Sequence, residues 1–115
     1  WKKRIIQCCQ SAGTYKPHFD DIISTLAQIL EERDRVYKIY KEDGAEPVVE
    51  YTNKLGATNL VKNPELVLWD ELNKSALTYW RDLGLTPAGL KKLDTDALKS
   101  KKGSSFGEFL MGKIE

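Results

Sequence analysis

Residues 63–93 read NPELVLWDELNKSALTYWRDLGLTPAGLKKL and spell out two helices joined by a tight corner. Pro64 suits the first position of a helix, where its missing N–H would be unpaired anyway, and Asn63 before it is a good cap for the free amides. Beyond them Trp69, Leu72, Ala76, Tyr79, Trp80 and Leu83 recur at steps of three and four, so they form one apolar stripe. Asp70, Glu71, Lys74, Arg81 and Asp82 occupy the rest of the surface. Gly84 can adopt the left-handed conformation that closes a helix, Leu85 can fold back as its apolar contact, and Thr86-Pro87 opens a second helix. A stripe this rich in aromatic side chains needs a partner surface.

Working outward, Trp1 to Ala12 has helical spacing, with Trp1, Ile5, Cys8, Cys9 and Ala12 on one side, and Gly13 ends it. Its first turn carries Lys2, Lys3 and Arg4, which oppose the helix dipole. A longer helix is expected after Pro17, with Phe19, Ile22, Ile23, Leu26, Ile29, Leu30, Arg33, Val36, Tyr37 and Tyr40 on a broad face and Gly44 as its stop. Asp20 and Asp21 at its start have the favourable sign for the dipole, and no third ligand stands near them in the sequence to suggest a metal or catalytic site. Between Pro47 and Val61 the β-branched and aromatic residues Val48, Val49, Tyr51, Thr52, Thr58, Leu60 and Val61 flank Asn53 to Gly56, the pattern of a short hairpin. Such a hairpin is marginal by itself, so it should lie on the helices or pair with a neighbouring edge; a plain extended loop is the alternative. The expected architecture is mainly α: a helical domain over 1–93 with the hairpin between the second and third helices, then a flexible basic linker and short apolar tail over 94–115.

With 115 residues, 41% hydrophobic and 30% charged, the chain is one modest domain that self-association would help to stabilise. The formal net charge of +1 gives no global electrostatic instruction, but the charge is banded. Residues 1–16 hold four bases and no acid, 17–46 hold eight acids against four bases, and 86–102 hold five bases against two acids. Such runs are ordinarily solvated faces; the sharper reading is a basic surface for phosphate and an acidic one for an adjacent subunit.

Cys8 and Cys9 are adjacent, which disulfide geometry disfavours, and the sole histidine, His18, has no partner at metal-ligand spacing. No glycine-rich phosphate loop, His-Glu metal motif or nucleophile elbow is present. The expectation is a binding or assembly protein with no catalytic residues, no metal and no cofactor. No apolar run has membrane-spanning length and no signal-peptide pattern opens the chain, so a cytosolic protein is expected. The first residue, Trp1, is not methionine, and further residues are expected upstream.

The Asn-Pro helix that ends in Leu-Gly-Leu-Thr-Pro before Leu90, Lys91, Lys92 and Leu93 resembles the small subunit of tailed-phage terminases. Trp1 in a short helix, Gly13-x-Tyr15, Asp20-Asp21 opening a helix, and Gly44 and Gly56 around an extended segment also look like that family, so the resemblance spans about residues 1–93. It implies a non-catalytic, ring-forming viral DNA-packaging factor in the host cytoplasm, which engages double-stranded phage DNA and delivers it to a large ATPase and nuclease subunit. On that reading Lys2, Lys3, Arg4, Lys16, Lys91, Lys92, Lys99, Lys101 and Lys102 meet phosphates, and Trp69, Leu72, Ala76, Tyr79, Trp80 and Leu83 form the core or the contact between subunits. A ring repeats each weak DNA contact, so modest affinity per subunit suffices. The competing reading is a helical protein-interaction adaptor without DNA binding, whose apolar tail, Phe106 to Ile114, docks on a protein.

The first two helices do not read as a base-reading helix-turn-helix. Their connection, Gly13 to Pro17, is long, and the second helix opens with acids where Arg, Asn or Gln would be needed.

Overall fold

A computed structural model describes residues 1–96 and Leu98. The chain runs through α1 (Lys2–Ala12), a 3-10 turn (Pro17–Phe19), α2 (Asp20–Glu42), β1 (Val48–Thr52), β2 (Thr58–Lys62) and α3 (Pro64–Asp82). A further helix, α4, occupies 87–96. The fold is mainly α with one antiparallel hairpin between the second and third helices, as the periodicity predicts.

Three helices end in the same way. Beyond α1, α2 and α3 stand Gly13, Gly44 and Gly84, all with positive φ, and the next residue's N–H returns to the carbonyl five positions back. At the third of these, Gly84 N–H reaches the Arg81 carbonyl and Leu85 N–H the Trp80 carbonyl, both at 2.9 Å, which is the Schellman arrangement. Thr86 then caps α4 by accepting from Gly89 N–H at 3.0 Å.

α2 and α3 pack side by side as an antiparallel pair, and α1 lies on α2. The core gathers Ile5 and Cys9 from α1, Ile23, Leu26, Ala27 and Leu30 from α2, and Ala76 and Leu83 from the α3 end of the chain. Their spacing of three, four and seven is the helical stripe turned inward. Of the expected α3 stripe, Ala76 and Leu83 are buried, while Trp69, Leu72, Tyr79 and Trp80 are half-buried. Tyr79 and Trp80 pack against the core; Trp69 lies farther along, its ring 5.5 Å from Tyr37. On α1 the expected buried side is narrower than its sequence suggests, since Cys8 and Ala12 are exposed. Burial pushes the Cys9 thiol pKa up, against a hydrogen bond from Thr14 and with a smaller push from Cys8, so Cys9 behaves as a small apolar side chain. Ile22 and Tyr37, expected on the broad apolar face of α2, remain substantially exposed because α1 and α3 cover only part of that face.

Asn63 is the joint between the hairpin and α3. Its side-chain oxygen accepts from Glu65 N–H at 2.9 Å as the helix cap, its amide nitrogen donates to the Glu46 carbonyl at 2.9 Å, and its backbone N–H donates to the Pro47 carbonyl at 2.9 Å. All of this happens at a buried position, where unmatched amide groups would be costly. The hairpin pairs Val48 with Lys62, Val49 with Val61, Glu50 with Leu60, Tyr51 with Asn59 and Thr52 with Thr58. Asn53 closes its loop by accepting from both Leu55 and Ala57 N–H groups, and Gly56 supplies the positive φ. Of the two expected placements, on the helices or against a neighbouring edge, the single chain shows the hairpin touching α3 chiefly at its base. Leu60 is 73% exposed and Leu55, at the tip, 94%.

Candidate nucleic-acid interface

The basic residues of α1 are largely committed to the chain itself. Lys2 pairs with Asp20 at 3.0 Å across the α1–α2 seam, which gives Asp20 a structural role. Arg4 lies over the Trp1 ring, 4.6 Å from its centre, and Arg33 approaches the same ring at 5.4 Å. The Trp1 indole N–H donates to Asp34 at 2.7 Å, and Arg33 donates to the other Asp34 oxygen at 2.8 and 3.1 Å while reaching Asn73 on α3 at 3.3 Å. This cluster clamps the start of α1 to α2 and α3. Only Lys3 of the triplet is without an ion pair or an aromatic partner among the described residues.

Partial burial of Asp34 opposes its charge, but the Trp1 N–H, the Arg33 donors and the nearby Arg33 and Arg4 charges outweigh it and hold its pKa below the ordinary carboxylate value of 3.8. A depressed folded-state pKa contributes stability that is fully present above 3.8 and is lost as pH falls through the folded value. Asp34→Asn is therefore expected to cost about 0.5–1 kcal/mol at neutral pH, a figure already reduced for the exposure of the pair. The difference from the parent protein should shrink to nothing as thermal melts are taken below pH 3.8. A constant difference across the acid range would mean that Asp34 acts by packing and not by charge.

Lys16, Lys91 and Lys92 lie near the corner between α3 and α4. Gly84 is in contact range of two segments: a Cβ placed there would lie 2.6 Å from Leu93 Cδ1 and 3.0 Å from Thr14 Cγ2. The loop after α1 and the helix after α3 therefore share one end of the molecule. Lys16 is two residues from Thr14, and Lys92 is next to Leu93; with at most about 3.6 Å per residue of chain, both are confined to that end. Lys16, Lys91 and Lys92 are exposed. Arg81, in the last turn of α3, joins them: Arg81, Asp82, Gly89, Lys92, Leu93 and Asp96 line one shallow depression. Sequence reasoning passed over Arg81 because it reads there as one of the charges on the solvated side of α3. A base in the last turn also suits the helix dipole, so the position has a structural use whether or not phosphate binds.

Lys99, Lys101 and Lys102 lie outside the described residues, as does the apolar tail. Among the described residues no group of three or more His, Cys, Asp or Glu side chains could hold a metal ion. No helix among them is long and apolar enough to cross a membrane.

A family model described as phage terminase, small subunit, matches residues 1–99. The chain belongs to the phage terminase small-subunit family. The resemblance carried by the Asn-Pro start and the Leu-Gly-Leu-Thr-Pro corner is therefore a true kinship, and it covers every described element of this small-subunit fold. Membership assigns the chain to phage DNA packaging, in a family that is generally non-catalytic. No curated protein and no solved structure matches the chain.

Proposed function

We propose that this chain is a ring-forming DNA-recruiting subunit: it binds double-stranded phage DNA through phosphates, presents it to the large terminase subunit, regulates that subunit, and carries no catalytic site. The observation that supports this best is that Arg81 and Lys92 line one depression at the α3–α4 corner, with Lys91 next in sequence and Lys16 two residues from Thr14, in a member of a packaging family whose α1 bases are mostly engaged elsewhere. Thr14 and Leu93 both approach Gly84, which keeps Lys16 and Lys91 near the same end as the depression lined by Arg81 and Lys92. Asp82 and Asp96 beside them keep the local field modest, which suits a protein that repeats its contact around a ring and does not rely on one tight site. Ring formation is supported by the apolar side chains that the isolated chain leaves in water, among them Ile22, Tyr37, Ile39, Val67, Leu68 and Leu77 on the helical pair.

Phosphate binding makes affinity fall with salt. Four contacts per subunit give a slope of log K against log salt of about −3.6, or about a hundredfold loss between 50 and 200 mM salt. Fluorescence anisotropy with a labelled duplex of packaging-start sequence measures this directly. Affinity that does not change over that range, or no binding at 50 mM salt, would rule out the phosphate surface and leave the adaptor reading.

A further inference from the structure

The hairpin keeps its order while much of its apolar surface stays in water, although a two-stranded ribbon has little stability of its own. Side chains alternate faces along a strand, so Val48, Glu50, Leu60 and Lys62 share one face, and Leu60 is the most exposed apolar group on it. Across the helical pair runs a second apolar feature, a groove between α2 and α3 with Val36, Ile39 and Leu68 in its floor. Ile39 and Leu68 are 41% and 43% exposed there.

The groove and the hairpin base meet α3 on opposite sides. On α3 the groove is lined by Pro64 and Leu68, and the hairpin base stands over Leu66 and Asp70. At about 100° of turn per residue these pairs are separated by roughly 200° around the helix axis. One copy therefore presents an arm on one flank and a receptor on the other, the head-to-tail relation that closes rings when the rotation allows.

Their charges are complementary. In the groove Glu32 and Arg35 neutralise each other in an ion pair at 2.5 Å, which leaves Glu65, with Asp43 beside it, as the uncompensated acid. The Asp43 carboxyl pushes the Glu65 pKa up, with desolvation adding to the effect. Glu65 Oε2 is enclosed with no hydrogen-bond partner. The hairpin carries Lys54 and Lys62 against Glu50, an excess of the donor that this acidic end lacks.

We propose that the β1–β2 hairpin is an assembly arm: its Val48 and Leu60 face docks on the Ile39 and Leu68 groove of the next copy, with a hairpin lysine at Glu65 and Asp43. The 15 residues from Val48 to Lys62 supply about half to three-quarters of the 20–30 residues that a standard interface needs on each side, so neighbouring helix surface completes the contact. The inference rests on the ring reading and adds which surfaces meet in it.

The test uses the full chain with Leu60→Asp, which disables the arm, and with Leu68→Asp, which disables the groove. Both positions are exposed in the single chain, so each variant should melt as a folded protein. Each is expected to weaken the subunit contact by at least about thirtyfold, the effect of placing a charge without a partner in an interface. Native mass spectrometry should then show each variant as monomer and an equimolar mixture as a 1:1 dimer, because one arm and one groove remain intact between them. A Leu60→Asp variant that assembles like the parent overturns the arm and leaves the ring standing, also where it has lost binding to the large subunit. Loss of assembly in both variants with no dimer on mixing overturns the arm-to-groove pairing. A parent chain that is monomeric at every concentration overturns the ring reading and this inference together.

Discussion

Gly84→Val is expected to cost about 2–5 kcal/mol and to lower the melting temperature by about 10 °C or more. Two independent penalties act at this position. The backbone has φ +72°, where a β-branched side chain is strained, and the space is already taken by Leu93 and Thr14. Moving those side chains would separate α1's trailing loop from α4 and open the corner. Gly89→Ala is the companion case. In an ordinary exposed helix that change gains about 1 kcal/mol, but here the new Cβ would collide with the Arg81 carbonyl oxygen, so the sign should reverse. Circular-dichroism melts of both variants decide the matter; Gly84→Val melting within about 2 °C of the parent, below what 1 kcal/mol produces, would mean that the corner tolerates rearrangement.

The second large effect concerns DNA. Reversing Lys16, Lys91 and Lys92 together to Glu removes three of the four proposed phosphate contacts and adds repulsion, so affinity at 50 mM salt should fall by about 10²–10³ and the salt slope by about 3. All three side chains are exposed, so the fold should survive. The informative contrast is with Lys2→Ala and Arg4→Ala. Lys2 is paired with Asp20 and Arg4 is stacked on Trp1 beside Asp34, so their removal should change stability slightly and DNA binding much less than the corner triple. Equal losses from the two sets would move the phosphate surface to α1 and remove the reason for naming the corner.

The contrast between these two basic clusters also marks the limit of a linear reading. Lys2, Lys3 and Arg4 look in the sequence like the purest basic run in the chain, since no acid accompanies them. Their neutralising partners, Asp20 and Asp34, arrive from 18 and 30 or more residues away, and only packing α1 against α2 brings them in. Arg81 is the reverse case. Its neighbours in sequence make it an ordinary solvated charge, and Lys92 comes beside it only because α4 turns back across Gly84 and Gly89.

Hairpin placement follows the same logic. Alternating β-branched residues and the Asn53 to Gly56 loop point to the strands, because strand period and turn chemistry are local. Where the ribbon sits depends on Asn63, whose cap of α3 was foreseen but whose amide contact to Glu46 was not, since that partner lies 17 residues away.

Element identity in this protein is therefore a property of the linear chain: apolar steps of three and four, the Asn-Pro start, the glycine stops and the family signature are all local patterns. Charge availability and the course of the chain through space are not. Salt bridges, cation–π stacking and close backbone approach act over a few ångströms between residues far apart in sequence, so only the folded chain decides which bases stay free, why Gly89 must be glycine, and which apolar side chains still await a partner.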